Sequence, residues 1–281
     1  MTAFLLLLFA LGVAPLTLGT LLLKPASTGG GRSSLAGTIL LCALAFNLTF
    51  FWQELWLVIP KALTPGLHPV LHHNDHDWTG HAPTVELLQG TGALATLSAG
   101  LAFSAVLALV RIPSPTWRGF VFWMAFQGLF QALTQLAIGA VLPGNDVGRA
   151  LGYLHAGPGV KAALLGLAVL AMAAAGGFLA RIDASDPRNR TRSFAYGLWA
   201  IALLATLAIL PFRTPRDLVE VALVPLFVNL VGAGWLALGA VLAPAGAASK
   251  EEGAIRILGP SLALAATLVL FQLVLRPGIA F

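Results

Sequence analysis

Charge is what this sequence has least of. Asp, Glu, Lys and Arg make up 10% of its 281 residues, against about 25% in soluble domains, so an ordinary water-facing surface is excluded. The single cysteine, Cys42, lies inside an apolar run, which excludes a disulfide framework and any paired-thiolate metal site. Strict apolar–polar alternation of the kind a barrel strand needs does not recur. No GxSxG and no Cys–His pairing marks a nucleophilic hydrolase, and the GTG at 90–92 is too short for a phosphate loop. No internal repeat is evident, so an inverted-repeat transporter gains no support. The net charge of +5 falls on Lys and Arg placed between apolar runs, where membrane topology accounts for it; nucleic acid is not expected as a partner.

What the chain does have is apolar length. Hydrophobic residues make up 58% of it and the mean hydropathy is +0.88. Runs over residues 3–23, 35–60, 85–110, 115–142, 160–179, 193–211, 217–242 and 255–275 approach or exceed the ~20 residues that carry a helix across the hydrocarbon. The first run has no basic n-region and ends at Lys24-Pro25 without a small-residue cleavage site, so it is expected to be retained as a helix. The expected fold is all-α: one polytopic membrane domain, residues 1–281, with eight transmembrane helices. Its longest connection is a histidine-rich loop, residues 61–84, between helices 2 and 3.

Lys and Arg set the expected orientation. Lys24, Arg32, Arg111, Arg118, Arg181, Arg188, Arg190, Arg192, Lys250 and Arg256 fall in the odd-numbered connections; Lys61, Arg149, Arg213 and Arg216 fall in the even ones, with Lys161 on the border of the fifth run. By the positive-inside rule the odd connections face the cytoplasm, and both termini and the histidine loop face out. The connection that carries the sixth histidine, His155, shares that side.

Residues 52–81 hold the other five histidines, His68, His72, His73, His76 and His81. The spacing of His68, His72 and His76 at i, i+4 and i+8 makes one stripe on a helix, with His73 beside it. Two imidazoles four residues apart on a helix reach one ion. Asp75, Asp77 and Glu86 add oxygen donors nearby. An imidazole and carboxylate set without thiolate suits a divalent metal such as zinc, iron, manganese or copper. HPVLHH is similar in spelling to the histidine boxes of membrane desaturases and hydroxylases, but those spread more histidines over several boxes, and membership is not inferred. The plainer alternative is a solvated interfacial loop with histidines in turn hydrogen bonds.

Glu54 is the sharper signal. An ionisable residue within a span is costly in lipid and marks a functional site by default. Its expected partners are the histidines through a metal, or Lys61 or Arg149 through an ion pair. Gln127, Gln131 and Gln135 line one face of the fourth helix, as helix glue or as the wall of a substrate cavity. Asp217 and Glu220 suit the positive end of the seventh helix. Asn229 and Gln272 are single polar residues expected to satisfy neighbouring helices.

These residues lead to an expected metal-dependent membrane enzyme, hydrolase or oxidoreductase, with its site at the outer leaflet. Glu54 would serve as ligand or as general base toward metal-bound water, and a lipid or lipid-linked substrate would enter from the bilayer. The rivals are a metal- or proton-coupled transporter, and a non-catalytic subunit whose loop docks partner membrane subunits through Trp78 and the histidines.

Overall fold

The computed structural model describes residues 2–25, 35–183, 191–213, 218–242 and 255–281. Arg32, Arg188, Arg190, Arg216, Asp217 and Lys250 lie outside these residues, as does the side chain of Glu220. Among the described residues, eight helices are long and apolar enough to cross a membrane: α1 (Thr2–Leu22), α2 (Leu35–Ala62), α3 (Val85–Leu109), α4 (Pro115–Val141), α6 (Pro158–Asp183), α7 (Arg192–Phe212), α8 (Val221–Leu242) and α9 (Leu258–Leu275). A short helix, α5 (Asp146–Tyr153), precedes α6. The chain is a multi-pass integral membrane protein by this measure.

Local sequence sets the helix ends. Ser114 caps α4 by accepting from the Trp117 N–H at 3.4 Å, and Pro115 follows at the first helical position, where its missing N–H costs nothing. Asn145 caps α5 through the Val147 N–H. Sequence reading ends the second span near Pro60, but α2 continues through it to Ala62. Proline removes one backbone donor and so frees the carbonyl four residues back. The Thr91 hydroxyl lies 2.6 Å from that Trp56 carbonyl. The extension has a consequence, because Lys61 then sits seven residues beyond Glu54 on the same helical face.

Burial ranks the helices. In α4, α8 and α2 the share of the membrane window that is buried is 78, 67 and 56%, against 28% in α3, α6 and α9. The first three form the centre and the others present their sides outward. α3 approaches α4 closely where Gly100 meets Gly128; a Cβ on either would fall 2.6–2.7 Å from the other's backbone. Phe46, Phe126, Phe130 and Phe227, all essentially unexposed, fill the apolar core.

The long connection is where the structure departs from an all-α reading. It forms a β-hairpin, β1 (Leu67–Leu71) and β2 (His76–Gly80), and a C-terminal strand, β3 (Ile279–Ala280), pairs with the other edge of β1. Both pairings are antiparallel. Pro65 and Pro69 act against a helix here, since each lacks an N–H and biases the residue before it toward extended backbone. Gly66 and Gly80 take positive φ, +85° and +92°, at the hairpin's open end. Its tip is unusual in being buried: His73 is 2% and Asn74 6% exposed. The hairpin therefore points into the end of the bundle rather than away from it.

Candidate functional site

A strand projects alternate residues to one side, so the hairpin scatters the histidines that a helix would have aligned. This corrects the i, i+4, i+8 stripe. His68 is exposed on β1 opposite Thr79, and His81 is exposed beyond β2. His72 Nδ1 lies 3.3 Å from the Arg276 carbonyl, and its Nε2 is 3.8 Å from Asp77. His73 Nε2 donates to the Phe212 carbonyl at 2.9 Å, at the end of α7. The Asp75 carboxylate accepts from the His76 backbone N–H at 2.8 Å. His155 is exposed between α5 and α6, with φ +51°. Among the described residues no three His, Cys, Asp or Glu side chains gather as a metal site would require.

One histidine does turn inward. His76 Nδ1 lies 2.8 Å from Glu54 Oε2, and the two side chains are 8% and 4% exposed. Glu54 is eight residues before the end of α2, about 12 Å of helix at 1.5 Å per residue. The hairpin tip thus brings an imidazole down to a carboxylate that the helix alone would bury. On its other side, His76 Nε2 is 3.2 Å from Gln89 Oε1, which also faces Lys61 Nζ at 3.3 Å. Lys61, itself fully buried, donates in addition to the Leu57 carbonyl. Neither Lys61 nor Arg149 pairs with Glu54. Arg149 forms a two-pronged pair with Glu86 at 2.6 and 2.8 Å.

This geometry counts protons. A lysine donor requires that the oxygen of the Gln89 amide, and not its nitrogen, face it. That oxygen can then only accept from His76, so Nε2 carries a proton. The 2.8 Å contact from Nδ1 to Glu54 needs one more proton, held by the imidazole or by the carboxylate. Burial alone would lower the His76 pKa, but the hydrogen bond and charge of Glu54 outweigh it and the net direction is up. His73 is the opposite case. Burial takes its pKa down to about 4, against a smaller upward effect of the Phe212 carbonyl, and its Nδ1 has no partner.

Two residues that sequence reading did not assign to the site complete it. Gln89 ends the first turn of α3, and Asp146 opens α5. Burial, then the nearby Glu54, push the Asp146 pKa up to about 6, while His76, Lys61 and Arg149 act to lower it. Burial likewise raises Asp75. Asp146 was legible only as part of a PGNDVG turn, with no periodicity to join it to residues 54–76. Trp78, two residues along β2, stacks on His76 with ring centres 5.7 Å apart. Lys61 and Arg149 lie 4.9 and 5.1 Å from its ring, a distance at which a cation is attracted to the aromatic face.

Comparison with protein-family models, curated proteins and solved structures gives no match.

Hydrogen bonding continues from Glu54 into the bundle. Gln53 Nε2 donates to Glu54 Oε1 at 3.3 Å, and Gln135 donates to Gln53. At the far end of the same face of α4, Gln127 donates to Asn229 at 2.8 Å and contacts Cys42, and Asn229 donates to Thr206 at 3.1 Å. Gln127 and Asn229 thus act as the interhelical glue expected of them, and Gln272 does the same for the Phe212 carbonyl. Gln131 does not. Both of its amide atoms are buried without a partner, as are Thr49 Oγ1, Thr134 Oγ1, Gln127 Oε1 and Gln135 Oε1. Leaving such a group unpaired costs about 1–3 kcal/mol.

Proposed function

We propose that the protein is a proton-coupled membrane transporter whose coupling proton is carried by Glu54 and His76. The observation that carries this reading is the 2.8 Å contact between them, together with the Gln89 and Lys61 arrangement that leaves one proton to be shared. A buried carboxylate–imidazole pair changes its net charge when that proton leaves, and a change of charge within a membrane is what couples proton binding to a shift between states. The hydrogen-bonded run through Gln53 and Gln135 supports transport over surface chemistry, because it ties the pair to the interior of the bundle. By the Lys and Arg bias we take the hairpin end to be exofacial, with protons entering past Trp78.

The metal-dependent enzyme expected from the sequence has weaker support. Its donors diverge across the hairpin, and Glu54 stands at hydrogen-bond distance from His76. Cofactor and lipid-like substrate therefore drop out of the leading reading.

A rapid pH jump applied to proteoliposomes on a solid-supported membrane tests it. Proton binding at a buried site displaces charge, so the wild type is expected to give a transient current that Glu54→Gln and His76→Gln lose. A wild-type signal no larger than that of Glu54→Gln would overturn the reading.

A further inference from the structure

Helices α2 and α4 run parallel, since Cys42 meets Gln127 at one level and Gln53 meets Gln135 at another. Gln127 to Gln135 covers about 12 Å of α4 at 1.5 Å per residue. Between those tied ends lies Gln131, 1% exposed and with neither amide atom paired. Thr134, 1% exposed, is one turn from it on the same face of α4, and Thr49, also 1% exposed, falls at the corresponding level of α2. Their hydroxyls have no partner either. Buried polar atoms are paired with protein or with ordered water in almost every case. An amide that neither donates nor accepts, one turn from one such hydroxyl on α4 and level with another on α2, is therefore a row of unmet hydrogen bonds in the core.

We propose that this amide and hydroxyl row is the passage site for small uncharged molecules that both donate and accept hydrogen bonds, such as water or a polyol or amide solute. The chemistry follows from the lining. Gln131, Thr134, Thr49 and Gln127 offer donors and acceptors but no charge, so an ion would find no counter-charge along the row. The inference deepens the transporter reading and rests on it for the coupling of solute to proton. The row itself stands on separate residues.

Stopped-flow light scattering of proteoliposomes tests it with three probes, water, glycerol and urea, at symmetrical pH with a protonophore present. The wild type is expected to equilibrate at least one probe severalfold faster than protein-free vesicles, and Gln131→Met and Thr134→Val to lose most of that gain. Acceleration of water alone identifies a file of water; acceleration of glycerol or urea identifies a solute. The melting temperature of the same variants supplies a second reading. In a dry core, replacing unpaired polar atoms by apolar groups of similar shape removes a cost and raises Tm, whereas a filled row predicts no rise. No acceleration of any probe, acceleration that survives both substitutions, or a raised Tm in both variants overturns the proposal. Because this assay imposes no pH gradient, a wild type that lacks the pH-jump current but passes a probe through Gln131 separates failure of the proton reading from failure of this one.

Discussion

His73 and His76 are three residues apart, and their surroundings push them in opposite directions. His73 enters an apolar end of the bundle against Phe271, at 5.5 Å between rings, and its pKa falls to about 4. Its unfolded value is 6.5, so between these two values the unfolded chain binds the extra proton. The stability His73 contributes is complete above pH 6.5 and lost as pH falls through 4, about 3 kcal/mol by that point. His76 has a raised folded pKa, so its contribution is present below 6.5 and lost as pH rises through the folded value. Comparing the wild type with His73→Phe, which keeps the ring and removes the titration, isolates the first effect. The wild-type melting temperature is expected to fall more steeply than the variant's between pH 6.5 and 4, and parallel curves would refute the assignment. Neither environment could be read from the spelling HHNDH, which puts both residues in one short polar run.

The hairpin is the element that converts this spelling into a site. Its alternation sends His76 and Trp78 to one face and Asp77, 78% exposed at the side chain, to the other. Sequence reading placed the histidines in one loop and singled out Glu54, but it weighed their spacing against a helix and not against a strand. Helical spacing and strand pairing make opposite predictions about which histidines meet, and Pro65 and Pro69 act against the helix. The second span was likewise ended at Pro60, because the Thr91 hydroxyl that takes the freed Trp56 carbonyl comes from another helix. A substitution tests the hairpin directly. At Gly80, φ is +92° and a Cβ would fall 1.9 Å from the Gly66 carbonyl oxygen, so Gly80→Ala cannot keep the pairing at the hairpin's open end. Amides of residues 67–80 are expected to exchange with deuterium at least about tenfold faster, a loss of roughly 1.4 kcal/mol or more in local opening. Unchanged exchange would show that the hairpin does not depend on this turn.

At the scale of the whole molecule, the eight spans were legible because hydropathy over about 20 residues depends on the solvent around a helix and hardly on its neighbours. The polar pairings were not, since Glu54 with His76, Lys61 with Gln89 and Gln127 with Asn229 join residues 22 to 102 positions apart. The resulting molecule carries a titratable pair at the end where the hairpin plugs it and an uncharged polar row farther in, within a shell that faces lipid. The proposed transport turns on one proton held between Glu54 and His76. Nitrogen-15 NMR of histidine-labelled protein, with His76 assigned from His76→Gln, observes that proton most directly. The account predicts a His76 midpoint above 6.5 in the wild type that drops in Glu54→Gln, where burial remains and the carboxylate charge is gone. A wild-type midpoint at or below 6.5, or one that Glu54→Gln leaves unchanged, would contradict it.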